Sequence, residues 1–456
     1  MQIDLKEEFQ KFLDSLSGKN CRMGQFIFPV ERETIINGSK NIFFSPDSQF
    51  FWHQPKESLL FHSIGRIDLE KVFGLKQLSL KKEIFNYLKS EIISNKDSDV
   101  LKKTPLFLGN AQFKPFCTNS IWDTSFNLNW FIPKQFLVLD KSICRMVYNF
   151  STEKSKNLIF DDFNSFLEKI FSPSPPKTVQ ICRISNRIDL PLNDWCDLVE
   201  NALSEIKKGS FSKVVLSRMT SFDLEGNLSY EKLLESSGRY PACVTFFNKV
   251  NNSVFFGITP ERLLRISDGI IETEALAGSI KRSGSPSEDS LLSEQLLSSR
   301  KNLNEQQFVT DYILEVVKPF ADNIEYDRNP ELIKLENIQH LKTKIKGTIK
   351  EDKFFLDLVS SLHPTPAVCG IPKEKAIDFI QKNESYERGL YSGIAGWFNL
   401  YDEGEFAVAI RSALIKEDKL YAFSGCGIVD GSDPVSEYEE TEIKLKPIFS
   451  IFEYEN

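Results

Sequence analysis

The stretch GEFAVAIRSAL, residues 404–414, limits what this chain can fold into more than any other segment. With the two-residue period of a strand, Phe406, Val408, Ile410 and Ser412 fall on one side, and Ala407, Ala409, Arg411 and Ala413 on the other. The second face is small apart from one guanidinium. A face of that kind lets another layer or a ligand approach the backbone closely, with Arg411 as its only charge. The expectation is a sheet with something packed tightly against it.

Composition removes several classes. With 41% hydrophobic and 26% charged residues, the chain is neither disordered, nor collagenous, nor a disulfide scaffold. Its 456 residues suffice for a large core without staples, and length alone suggests about three domains at roughly 150 residues each. A net charge of −8 lacks the footprint of a nucleic-acid binder but allows a local basic pocket for a small anion. Eight cysteines without a C-x-x-C pair, and four dispersed histidines, argue against structural zinc. Any metal is expected to be a hard cation on carboxylates. The acidic, amphipathic MQIDLKEEFQKFLDSL has no signal-peptide core, and no apolar run reaches the ~20 residues of a membrane span. A cytoplasmic protein with no membrane partner is expected.

Periodicity places the candidate chemistry. Early in the chain QFIFPV, NIFFSP and FLVLD read as short strands. Residues 95–99, the SPSPPK run ending at Lys177 and residues 282–290 read as loops, with a seam at 173–177. Trp195, Leu198, Val199, Ala202 and Ile206 recur at helical spacing, with Asn193 or Asp194 as cap, Gly209 as stop and the strand Lys213–Arg218 following. A helix is predicted from about Glu288 through Val317, with Phe308, Val309, Tyr312, Ile313, Val316 and Val317 as its apolar stripe. Glu305 points along that stripe, where a carboxylate needs a salt-bridge partner or a metal. A further helix starts at Asp433-Pro434 and runs to about Phe449. It aligns Glu437, Glu440, Thr441, Lys444 and Ile448 on one face, which is either a solvated salt-bridge face or a functional one. In FSGCGIV, Gly425 and Gly427 read as a strand-edge turn whose N–H groups could hold a carboxylate.

In order along the chain, KVVLSR, TPERLL with TEALAGS, SSRKNLNEQQFV, QHLKTKIKG, LHPTPAVCGIPKEKA, ERGLYSGIAGW, FAVAIRSAL and SGCGIVDGSDPVSEYEETEIK resemble the motifs of chorismate-utilising enzymes. That family includes isochorismate, salicylate and anthranilate synthases and aminodeoxychorismate synthase. The match covers about residues 193–447. The resemblance implies an α+β fold with two stacked antiparallel β-sheets and helices packed outside. It implies one large anthranilate-synthase-like domain over 1–456, in which 1–177 is a variable N-terminal part and 193–447 the catalytic part. A monomer is expected.

The resemblance also implies chorismate as substrate and Mg²⁺ as cofactor, held by Glu305 and Glu440 with Glu437 beside them. Tyr391, Arg411, Lys444, Gly425 and Gly427 would bind the anionic substrate, with Gly278, His340, His363 and Ala367 completing its pocket. Lys213 stands in the place of a catalytic base and Glu274 in that of an acid. Each would need its pKa moved toward neutrality. Lys213 disfavours anthranilate synthase, and Ala277 excludes the lysine-adduct type of aminodeoxychorismate synthase. Isochorismate formation in a quinone pathway is the expected activity, with salicylate synthase or a siderophore-pathway isochorismate synthase as alternatives. Gln306, Cys369 and Cys426 depart from the family pattern, and Gln306 is expected to alter support of Glu305.

Overall fold

A computed structural model describes residues 2–43, 48–75, 81–114, 121–122, 130–141, 143–172 and 182–454. Among these, the strands form two large sheets. The first runs, in spatial order, through Glu453–Tyr454, Cys182–Ile188, Lys213–Gly226, Lys419–Ile428, Ser412–Lys416, Ser253–Thr259, Val244–Val250, Ser48–Gln54, Leu59–Arg66, Pro133–Asp140, Ile143–Ser151, Met23–Pro29 and Ile92–Ser94. The second runs through Ala321–Tyr326, Ile338–Ile349, Ile270–Lys281, Arg262–Ser267, Gly404–Val408, Ile394–Phe398, Phe107–Ala111 and Trp130–Phe131. Pairing is antiparallel as expected, except at two edges, where Met23–Pro29 meets Ile92–Ser94 and Cys182–Ile188 meets Glu453–Tyr454 in parallel.

One apolar cluster takes side chains from both sheets: Phe50, Trp52, Phe136, Phe246 and Phe255 from the first, Leu108, Phe131, Ala395 and Ala407 from the second. The sheets are therefore stacked face to face, and helices cover their outer sides. The helices Gln2–Ser15 and Lys156–Phe171 bury Leu5, Phe9, Phe163 and Phe166 against the first sheet, and Arg300–Val317 buries Val309, Ile313 and Val317 against the second.

The small-faced stretch at 404–414 is not one strand. Gly404–Val408 belongs to the second sheet and Ser412–Lys416 to the first, and the chain crosses between them at Ile410–Arg411. Arg411 takes φ +48, a left-handed conformation uncommon for a residue with a side chain. Ala407 and Ala409 face the inter-sheet core, but after the crossover the parity changes, and Ala413 turns to an outer cluster while Leu414 turns inward. The small-residue alternation of the sequence runs straight through the crossover although the side chains change face there, so the pattern alone hides it.

Several other elements also differ from expectation. The predicted 288–317 helix is two, Pro286–Ser298 and Arg300–Val317, because Ser299 is extended and its side chain accepts from the Asn302 N–H. Its stripe holds except at Phe308, which is exposed. The helix Leu192–Lys207 starts at Pro191 with no side-chain cap, so Asn193 and Asp194 lie inside its first turn. Gly209, at φ +77, follows its end as expected. NIFFSP begins as the end of the helix Arg32–Phe43 rather than as a strand. Ser98 opens a short helix capped by Asp97. The expected seam at 173–177 lies outside the described residues.

Candidate active site

The site lies where the two sheets and two helices converge. Among the described residues, an enclosed cavity is walled by the strands Lys213–Gly226 and Lys419–Ile428 of the first sheet and by Ile270–Lys281 and Ile338–Ile349 of the second. The helices Arg300–Val317 and Pro434–Phe449 and the Arg411 crossover close it. Its lining includes Gly278, Glu305, His340, Ala367, Tyr391, Arg411, Gly425, Gly427, Glu440 and Lys444 from the residues singled out in the sequence. Lys213, Glu274, Glu437 and His363 are absent from that lining.

Gly425 and Gly427 are not in a turn. Both sit inside the strand Lys419–Ile428, opposite Ser217 and Val215. Glycine is required there by close approach: a Cβ on Gly427 would lie 2.5 Å from Glu305 Oε1 and 3.0 Å from Lys213 Cε, and one on Gly425 3.0 Å from the Tyr391 hydroxyl. Glu305 is thereby held against the strand, and its Oε1 lies 2.9 Å from the fully buried Lys213 Nζ. The ammonium makes this ion pair from behind the cavity wall and has no well-aligned hydrogen bond among the described residues. The paired-lysine alternative for Glu305 is thus present in the structure.

The helix Pro434–Phe449 begins as expected, with Asp433 accepting from the Ser436 N–H. Its charged face turns inward and is no solvated face. Glu440 pairs with Lys444 at 2.7 Å, and the Lys444 ammonium also donates to the Gly425 carbonyl at 2.9 Å. Burial pushes the Glu440 carboxyl up, but Lys444 and Ser279 outweigh it and leave it below its ordinary value. Glu437 pairs with Lys301 at 2.8 Å, yet burial and repulsion from Glu440 hold its carboxyl above the usual range. Glu437 and Glu440, repelling one another on one helix, and Glu305 on a second helix are the oxygen donors a hard dication prefers. Among the described residues no three such groups stand close enough to enclose an ion alone. The set therefore fits Mg²⁺ only as one or two protein carboxylates with substrate and water oxygens completing the shell, which is the common Mg²⁺ arrangement.

Arg411 is buried at the cavity wall. Its Nη2 donates to His340 Nε2 at 2.7 Å, while its Nε has no partner among the described residues. A guanidinium has no acceptor, so His340 Nε2 must be unprotonated. Burial, then the Arg411 and Lys444 charges, keep the imidazole neutral by pushing its pKa well below the ordinary value. An orphaned, buried guanidinium N–H facing a cavity is a place for a carboxylate. Tyr391 and Ser424 line the same side, and the Ser424 hydroxyl is also unpartnered.

The acid position is where geometry and sequence part. Glu274 is buried, but it is ion-paired with Lys342 and accepts from the Arg262 N–H at 3.1 Å, outside the lining. Besides Glu305 and Glu440, the carboxyl that lines the cavity is Glu261, between the strands Ser253–Thr259 and Arg262–Ser267. Burial, then the Glu274 charge, push it up to about 8, against the opposing pull of Lys213, Lys444 and Arg411. It is protonated at neutral pH. TPERLL drew attention as a motif, and the glutamate after Pro260 was the available signal within it. Gln306 does not brace Glu305; its amide joins Ala277 N, the Ala275 carbonyl and Thr343 across two strands. His363 is half-buried beside Phe113 and is not part of the lining.

Comparison with known proteins follows the same line. The family model described as "Chorismate binding enzyme" matches residues 23–453. The chain belongs to this family of chorismate-binding enzymes. It is 32% identical over 416 residues to isochorismate synthase MenF of Bacillus subtilis, covering 88% of this chain and 87% of that one. To the salicylate biosynthesis isochorismate synthase of Pseudomonas aeruginosa it is 39% identical over 252 residues, covering 55% and 53%. The fold superimposes on the menaquinone-specific isochorismate synthase MenF of Escherichia coli with TM-score 0.81 at 22% identity, over 99% of this chain and 100% of that one. Membership extends the resemblance from the 193–447 motifs into the N-terminal part.

Proposed function

We propose that this chorismate-binding enzyme is an isochorismate synthase that adds water at C2 of chorismate as the C4 hydroxyl leaves. The observation that carries the reading is the Glu261 carboxyl lining a cavity whose wall also holds the Arg411 and Lys444 cations, with the fully buried Lys213 behind that wall and 2.9 Å from the lining Glu305. Arg411, through its free Nε, and Tyr391 orient the substrate's carboxylate. Glu261 gives its proton to the departing C4 oxygen. Lys213 is the base that takes the proton from the water that bonds to C2. The ring must hold these two groups on opposite faces, which the opposed sheets allow. Glu305 and Glu440 would hold Mg²⁺, with Glu437 adjusting it from behind. When bound, the ion supplies positive charge for the ring carboxylate.

Similarity to the B. subtilis MenF extends over nearly the whole chain, whereas similarity to the salicylate-pathway relative spans about half. This supports a menaquinone route. Among the described residues no helix is long and apolar enough to cross a membrane. The test is incubation of the purified protein with chorismate, with and without Mg²⁺, and separation of products. Isochorismate as the sole direct product, formed only with the metal, is expected. Salicylate with stoichiometric pyruvate would assign the lyase reaction instead.

A further inference from the structure

Glu274 is a buried carboxylate outside the cavity whose burial is met by the Lys342 ion pair and the Arg262 N–H, and that second partner places it next to Glu261. Three contacts fix the backbone around Glu261. Its own N–H donates to Thr259 Oγ1 at 3.3 Å, its carbonyl accepts from the Val408 N–H at 2.9 Å, and the next N–H, that of Arg262, donates to Glu274 Oε1 at 3.1 Å. On the adjacent residue, Thr273 Oγ1 donates to the Leu263 carbonyl at 2.6 Å, tying the strand Ile270–Lys281 to the segment that follows Glu261. The Arg262 guanidinium leads away and is committed to Glu405 at 2.8 Å and Glu57 at 2.6 Å. Glu274 thus touches the acid's segment through the backbone, and its charge is held in place by Lys342.

We propose that Glu274 is a positioning residue for Glu261: clamped between Lys342 and the Arg262 N–H, its carboxylate fixes the backbone that aims the Glu261 carboxyl into the cavity and sets a like charge beside it. The proposal rests on Glu261 being the proton donor. The other charges acting on Glu261 are Lys213 from the first sheet, Lys444 from the C-terminal helix and Arg411 from the crossover, all favouring ionisation. The neutral His340 adds no charge. Glu274 is the neighbour that opposes those three cations. Burial is the larger cause holding the Glu261 carboxyl up, and without Glu274 the carboxyl would ionise at lower pH and have its proton to give over a narrower range. Loss of Glu274 charge therefore shows on the alkaline side of the rate profile, where the acid form is being titrated away.

The experiment is kcat/KM against pH for the full chain and for Glu274→Gln, Glu274→Gln/Lys342→Gln and Glu261→Gln. Glutamine keeps an acceptor for the Arg262 N–H and removes only the charge. One neighbouring charge roughly 12 Å away at an effective dielectric of about 20 displaces a titration by about one unit and a nearer one by more, so one unit is the least shift expected. From a midpoint of about 8, that shift leaves the rate nearly unchanged at pH 6 and lowers it about fivefold at pH 8. The double variant removes the freed lysine as a cause, and it too moves the limb acid-ward. An alkaline limb that stays in place in both variants overturns the proposal and leaves the donor role of Glu261 standing if Glu261→Gln is inactive. Activity lost at every pH in Glu274→Gln but retained in Glu261→Gln makes Glu274 itself the donor and overturns both. Circular dichroism and the melting midpoint establish that each variant is folded before its profile is read.

Discussion

Replacing Gly427 by alanine separates the site from the fold. The new methyl would stand 2.5 Å from Glu305 Oε1 and 3.0 Å from Lys213 Cε. Ordinary carbon–oxygen contact begins near 3.4 Å, so the carboxylate must retreat by about 1 Å and the lysine by a few tenths. Both atoms are side-chain ends, and no backbone atom is among the nearest neighbours. The fold can therefore absorb the methyl, whereas the reaction cannot, because a misplacement of about 1 Å in a catalytic array costs on the order of 100-fold. Gly427→Ala is expected to lower kcat/KM for isochorismate formation about 100-fold, or about 2.7 kcal/mol of barrier, with a melting midpoint close to the parent's. Gly396→Ala supplies the opposite control, since its Cβ would meet the Glu405 carbonyl at 2.3 Å and the Phe406 Cα at 3.1 Å, so stability falls first. A coupled assay for isochorismate and a thermal melt on each variant suffice. Parent-like kcat/KM in Gly427→Ala would refute the claim that the reaction depends on Glu305 and Lys213 being pressed against this strand.

Other outcomes follow from the same geometry. Arg411→Lys keeps a cation but loses the unpartnered Nε, and the loss of one charge-assisted bond of about 2 kcal/mol should raise KM for chorismate about 30-fold with a smaller change in kcat; an unchanged KM places the carboxylate elsewhere. Arg218 is fully buried, bonding Thr441 at 2.7 Å, Asp189 at 2.7 Å and Glu442, and so fastens the C-terminal helix to the strand that carries Lys213. Arg218→Met should cost about 3 kcal/mol of stability, at the low end for a broken buried pair because Arg187 still holds Asp189 and Glu442. Denaturant unfolding with no loss of midpoint would refute that.

Much of the site is legible in the sequence because the motifs carry it. Glu305, Tyr391, Arg411, Glu440 and Lys444 all reach one cavity from segments up to 139 residues apart. Secondary-structure breaks are harder to see. Alternation runs unbroken through 404–414 although the chain changes sheets at Arg411, since nothing in a two-residue period marks a left-handed residue. Helical spacing likewise runs past Ser299, whose capping role was visible only as a serine three residues before Asn302. The two glycines around Cys426 look like a turn, yet they are strand residues made small by Glu305 at Gly427 and by the Leu216 carbonyl, then Tyr391, at Gly425. The choice between Glu261 and Glu274 depends on whether the connection before Arg262 or the strand Ile270–Lys281 turns its carboxylate to the cavity, a property of sheet stacking rather than of either motif.

The most direct test of the account is isotopic. Chorismate converted by the protein in ¹⁸O-enriched water, with the isochorismate examined by mass spectrometry, should carry one solvent oxygen at C2 and release the original C4 oxygen as water. Isochorismate that keeps only unlabelled hydroxyl oxygen would mean the hydroxyl migrates within the ring, and the base and acid roles given to Lys213 and Glu261 would fail together.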